Sequence, residues 1–141
     1  MLYSEIIKKA SQIAFDAHKN DMDKGGYPYI MHPLYLAFQM EDEDSVCVAL
    51  LHDVIEDHPD KYSFDYIKQV GFNDNIINAL KLLTHEKDTP YMDYIKIIKT
   101  NSIATKIKIA DLKHNLDFTR IDEKHFYKEE IYKRALDCLY E

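Results

Sequence analysis

The chain has no tryptophan, two cysteines, three glycines and four prolines in 141 residues. Cysteines as distant as Cys47 and Cys138 make neither a disulfide framework nor the paired spacing of a zinc or redox motif. With no signal-peptide pattern at the N-terminus, they read as free thiols of a reducing cytosol. Gly25, Gly26 and Gly71 are too few for a Walker loop or a G-x-G-x-x-G turn, each of which needs glycines at fixed spacing. No apolar run approaches the ~20 residues that span a bilayer, so no membrane partner is expected. Basic charge is also scarce, with 18 lysines and arginines against 25 acidic residues and a net charge of −7. That balance argues against a nucleic acid polymer as partner, because phosphate backbones demand a basic face. What remains is 46% hydrophobic and 30% charged, enough to bury a core in water. The length predicts one domain, residues 1–141.

Apolar residues recur at three and four rather than at two, the amphipathic-helix signal. Leu2, Ile6, Ala10, Ile13 and Ala17 form one such stripe. A polar loop from Asn20 to Tyr27 follows, and a short helix is predicted from Pro33 to Met40. Asp44 or Ser45 is expected to cap a third helix that runs to about Asp57, where Pro59 stops it. Ser63 caps a fourth ending near Gly71, Asn73 or Asp74 a fifth through Leu83, and Thr89-Pro90 opens a sixth. A seventh is expected from Ser102 to Phe118, and Asp122 is expected to cap the last. The reading is a compact all-α bundle of about seven to eight helices.

Charged residues stand in unusual places. His52, Asp53, Glu56 and Asp57 share one or two turns directly after six apolar residues, Val46 to Leu51. Taken alone, this reads equally as an acidic helix end with a core histidine. His32 before Pro33, and Asp111 among Ile107, Ile109, Ala110 and Leu112, shift the balance. Two imidazoles and two carboxylates suffice to hold one divalent metal and leave positions for water. Mixed N and O donors suit manganese, iron or another first-row ion better than calcium. Lys108, Asp111 and Asn115 fall on one helical face. The run from Glu41 to Asp44 reads as a solvated loop and helix start.

Three blocks, Pro28-Tyr29-Ile30-Met31-His32-Pro33, Ala49 to Asp57, and Lys108 to Leu116, stand in an order that resembles the HD-domain metal-dependent phosphohydrolases. More narrowly they resemble the hydrolase domain of RelA/SpoT alarmone enzymes and their small stand-alone relatives of the MESH type. The resemblance implies His32, His52, Asp53 and Asp111 as metal ligands, with Mn2+ the usual ion. It implies Glu56 and Asp57 as the acidic pair that activates the attacking water, and Asn115 as a nucleotide contact. Lys108 is expected to be structural or phosphate-facing. His18 and Lys24 are expected near substrate, and Lys87 is a weaker phosphate contact. The family reaction removes pyrophosphate from the 3′ position of guanosine tetra- or pentaphosphate. A nucleotide phosphomonoesterase and a non-catalytic nucleotide-binding module are the alternatives. Asp23 stands where the relatives carry an arginine that packs against the base, so weak guanine selectivity is expected, with Lys24 the only nearby cation. His58 replaces the threonine that commonly follows the acidic pair. His85, His114 and His125 are expected on the surface or between helices.

Overall fold

The structure is a computed structural model that describes residues 1–121 and 123–141, with His125 described through its backbone alone. Among these residues are nine α-helices: α1 (Glu5–His18), α2 (Met31–Phe38), α3 (Glu43–Leu51), α4 (Val54–Asp57), α5 (Phe64–Val70), α6 (Asp74–Leu83), α7 (Tyr91–Ile98), α8 (Ser102–Asn115) and α9 (Glu129–Tyr140). A short 3-10 helix, Glu123–Lys128, leads into α9. The only extended pairing among them is one isolated bridge, Met22 to Pro28. None of these helices is long and apolar enough to cross a membrane.

Side-chain oxygens start most helices by accepting an otherwise unpaired first-turn amide. Ser4, Ser63 and Asn73 do so for α1, α5 and α6. The cap of α3 is Asp42, slightly earlier than the expected Asp44 or Ser45, while α8 begins at the expected Ser102, capped by Asn101. α2 begins two residues before Pro33 and ends at Phe38, because a proline fits anywhere in a first turn whose amides have no helical partner. This places His32 inside the helix. α8 ends at Asn115, short of the expected Phe118. The expected cap Asp122 lies outside the described residues, as does the side chain of His125.

α3 is the axis of the fold. Every residue from Ser45 to Leu51 is buried, as a helix apolar on all sides must be. α1, α2, α6 and α8 pack around it. The amphipathic helices α1, α6, α7 and α9 each bury one stripe, such as Ile7, Ala10, Ile13, Ala14 and Ala17 of α1.

The predicted helix through Asp57 is in fact two, and the break raises the count beyond the expected seven or eight. His52 Nδ1 bonds the carbonyl of Ala49 at 2.7 Å, an acceptor that an uninterrupted helix would present to the Asp53 amide. Asp53 then takes φ −109°, ψ −1°, and α4 continues for one turn. The break turns His52 and Asp53 toward α2 and α8, where their partners lie.

Candidate metal centre and the cavities beside it

Each side chain of the centre comes from an element packed on the α3 axis: His32 from the first turn of α2, His52 and Asp53 from the break, and Asp111 from the third turn of α8. His32, His52 and Asp53 offer donor atoms that all lie within 4.8 Å of one another. Asp111 Oδ1 adjoins both rings, 2.8 Å from His32 Nε2 and 3.8 Å from His52 Nε2. The structure thus brings together all four residues expected as ligands.

His52 Nδ1 donates to Ala49, so Nε2 presents its lone pair to the centre. That atom is buried, lies 3.0 Å from Asp53 Oδ2, and has no aligned hydrogen bond. A lone pair facing carboxylate oxygens in a buried place needs a cation between them. Without an ion a proton takes that place on Nε2: burial disfavours a charged His52 ring, yet Asp53 and Asp111 overcome it and hold its pKa well above the ordinary value. Conversely, burial would raise Asp53 and Asp111. The His52 charge pulls Asp53 below the usual carboxylate range, and Lys108, followed by the two histidines, does the same for Asp111. The donor set therefore attracts positive charge from three sides and fits a divalent ion.

Outer contacts fix the donors in place. His32 Nδ1 meets His114 Nδ1 edge to edge at 2.7 Å with the two rings parallel, and Tyr35 stacks on the His114 ring. Burial and the neighbouring His32 push the His114 pKa down to about 4, so His114 is the neutral acceptor of His32 Nδ1, and His32 Nε2 is turned to Asp111 and the centre. The Tyr29 hydroxyl donates to Asp53. Lys108 Nζ and Asn115 Nδ2 donate to Asp111 at 2.9 and 3.1 Å. Lys108 therefore serves Asp111 first, with Tyr94 and Tyr91 beneath its ammonium. His114 was expected only as a surface or interhelical residue. Its position three after Asp111 on one helix was the signal in the sequence.

Two cavities flank the centre. The larger, about 440 Å³, has walls from His32, Asp57 and Asn115 and three cations, Lys24, Arg120 and Lys128. The other, about 370 Å³, is bounded by His85, Tyr91, Tyr94, Tyr132, Lys108 and Glu56. Asn115, Lys128 and Tyr132 belong to both. The acidic pair is split between them. Glu56 Oε1 accepts the His85 amide at 2.7 Å. Asp57 faces the cationic cavity, and among the described residues no donor reaches its carboxylate. Burial, then Asp53 and Glu56, raise the Asp57 pKa to about 7.

Lys87 is exposed and lines neither cavity. His18 also lines neither: it is buried, held by Asp21 and packed on Tyr29. The loop after α1 differs most from expectation. Asp23 is not a bare carboxylate with Lys24 as its only neighbouring cation. It accepts Arg120 Nη1 at 3.0 Å and the amides of Gly25 and Tyr27 at 2.9 Å each. Arg120 also bonds Asn115 Oδ1 and the His114 carbonyl, at 2.9 and 3.2 Å. A side chain at Gly25 would collide with the Arg120 carbonyl oxygen, so the glycine permits this docking. Arg120 is the functional candidate that the sequence reading missed. It is one of only two arginines in the chain, and its partner is 97 residues away.

A helical domain that gathers His, His-Asp and Asp from three elements has the arrangement of the HD type. No family model matches the chain. It is 34% identical over 119 residues to a guanosine-3′,5′-bis(diphosphate) 3′-pyrophosphohydrolase of Haemophilus influenzae, covering 74% of this chain. It is 27% identical over 124 residues to the protein of that name from Aquifex aeolicus, covering 82%. The matched part is 17% of the length of each relative. In fold it is similar, at a TM-score of 0.77 and 21% identity, to a solved structure described as a metazoan ortholog of SpoT that hydrolyzes ppGpp, over 99% of this chain and 88% of that one. Over most of its length the chain is thus similar to the HD hydrolase domain of RelA/SpoT-type enzymes.

Proposed function

We propose that the protein is a metal-dependent nucleotide pyrophosphohydrolase that removes the 3′-pyrophosphate of guanosine tetra- or pentaphosphate or a similarly phosphorylated nucleotide. The observation that carries this reading is His52 Nε2, buried without a hydrogen-bond partner and facing the Asp53 and Asp111 carboxylates. His32, His52, Asp53 and Asp111 would hold one divalent ion, with Mn2+ favoured by the mixed N and O donors. When bound, the ion supplies Lewis acidity and lowers the pKa of water.

The remaining chemistry belongs to the chain. Asp57 stands on the cavity wall with an unengaged carboxylate and accepts the proton of the attacking water. The water oxygen bonds to phosphorus, the bond from that phosphorus to the 3′ oxygen breaks, and that oxygen leaves with a proton. Glu56, held by the His85 amide, keeps negative charge beside the reacting water and orients it. Lys24, Arg120 and Lys128 attract the phosphates into the larger cavity. Arg120, clamped by Asp23 and Asn115, supplies there the guanidinium that position 23 lacks. Lys108 holds Asp111, and Asn115 links Asp111 to Arg120. The free thiols Cys47 and Cys138 suit a reducing cytoplasm.

The test is a manganese-supplemented assay on guanosine 3′,5′-bis(diphosphate), with products weighed by mass spectrometry. Pyrophosphate and GDP are expected. Release of orthophosphate from ordinary nucleotides alone would establish a phosphomonoesterase. Tight nucleotide binding with no turnover of any substrate would establish a binding module.

A further inference from the structure

We propose that His18, Asp21 and His58 form a second divalent-cation site of the zinc type, separate from the His32/His52/Asp53/Asp111 centre. The three residues come from the end of α1, the loop behind it and the residue that closes α4. Their donor atoms all lie within 4.8 Å of one another. Both rings converge on the same atom, Asp21 Oδ2, with His18 Nδ1 at 3.0 Å and His58 Nε2 at 2.6 Å.

Two imidazoles and one carboxylate are the donor set of an open zinc site, with a fourth position left for water. Bonds of ~2.0–2.1 Å at tetrahedral angles place neighbouring donors roughly 3.3 Å apart, so each ring needs to move from the Asp21 oxygen by less than an ångström. The backbone already holds the donors in place. The Asp21 amide bonds the His18 carbonyl at 3.0 Å, and the Asp21 carbonyl accepts the Tyr29 amide at 2.9 Å. The His58 amide bonds the Val54 carbonyl, and His58 then leaves the helix at φ −133°, ψ 57°, with its ring meeting Asp21 of the loop after α1. The His18 side chain is fully buried, while Asp21 and His58 are each 31% exposed, which gives an ion a route in.

Such an ion would tie α1 to α4, the turn that carries Glu56 and Asp57. Its role is structural support of that turn, and it is independent of the activity proposed above.

The test is zinc binding to chelator-stripped protein, read by elemental analysis, with Co2+ absorption as a second probe of tetrahedral geometry. Wild type is expected to bind two equivalents. His58→Thr and Asp21→Asn are expected to bind one, with affinity at the lost site down by more than the about 10–100-fold that an outer contact costs. His52→Ala is expected to keep the equivalent that His58→Thr loses. In the His52→Ala protein zinc should still raise Tm, and adding His58→Thr should abolish that rise. His52→Ala binding no zinc, or His58→Thr binding as much as wild type, would overturn the site and reduce the trio to two ring N–H groups sharing one carboxylate oxygen. Neither result counts against the first centre, which His52→Ala reports separately.

Discussion

The ligand side of the centre and the wall of the cationic cavity were built in different ways. On the ligand side, His52 and Asp53 directly follow the apolar run of α3 and Asp111 stands among aliphatic residues of α8, on elements packed against the core. Lys108 and Asn115 satisfy Asp111, and Tyr29 satisfies Asp53. On the cavity wall, Asp23 and Arg120 lie on loops joined by one ion pair, with backbone amides and a glycine making room. The first region can hold an ion because the core over-determines it. The second can be rewired, since a guanidinium needs only to reach the cavity and not to arrive from a fixed sequence position.

The sharpest break of the ligand side is Asp111→Ala. It removes a ligand and strands the Lys108 ammonium, whose side chain is only 13% exposed. Leaving a buried partner unpaired costs on the order of 3 kcal/mol. Loss of metal content, loss of turnover and a lowered urea midpoint are all expected. Glu56→Ala and Asp57→Ala should retain the metal and lose turnover, by on the order of 10²–10⁴-fold for the general base. Elemental analysis beside kcat separates these two kinds of failure, and near-wild-type rates in both variants would move the base elsewhere.

The cavity wall is tested at its ion pair. Asp23→Arg would gain a stacking cation if position 23 were free, but here it places a second guanidinium against Arg120. KM for phosphorylated nucleotides should rise on the order of tenfold, and Arg120→Ala should do the same. A fall in KM for guanosine substrates in Asp23→Arg would mean that Arg120 takes no part in binding.

Asp57 gives a smaller, pH-dependent effect. Its folded pKa, about 7, is above the ordinary 3.8, so the metal-free folded protein holds this proton more tightly than the unfolded chain does. Stability is therefore lost as pH climbs from about 4 and the loss is complete above about 7. Asp57→Asn should stabilise metal-free protein at pH 8 by on the order of 1 kcal/mol, a figure reduced for solvent screening, and change little near pH 4. Thermal melts at both pH values measure it. The smallest effect is expected at Lys87, which lines neither cavity: Lys87→Ala should stay within about 0.5 kcal/mol in stability and twofold in kcat/KM.

The sequence alone determined the helical bundle, because helical period and caps such as Ser63 and Asn73 act over a few residues. It also pointed to the four side chains that the fold brings together, since charges such as Asp53 and Asp111 beside aliphatic residues are costly to bury without partners. The break at His52 was hidden because it depends on a ring competing for the Ala49 carbonyl, and hydrophobic period continues straight through it. Only the tertiary structure decided that Glu56 and Asp57 face different cavities, that His114 steadies His32, and that Arg120 answers Asp23 across 97 residues. These are long-range pairings of polar groups, and no local pattern encodes them. They exist because a buried charge takes whatever partner the packed helices bring within reach.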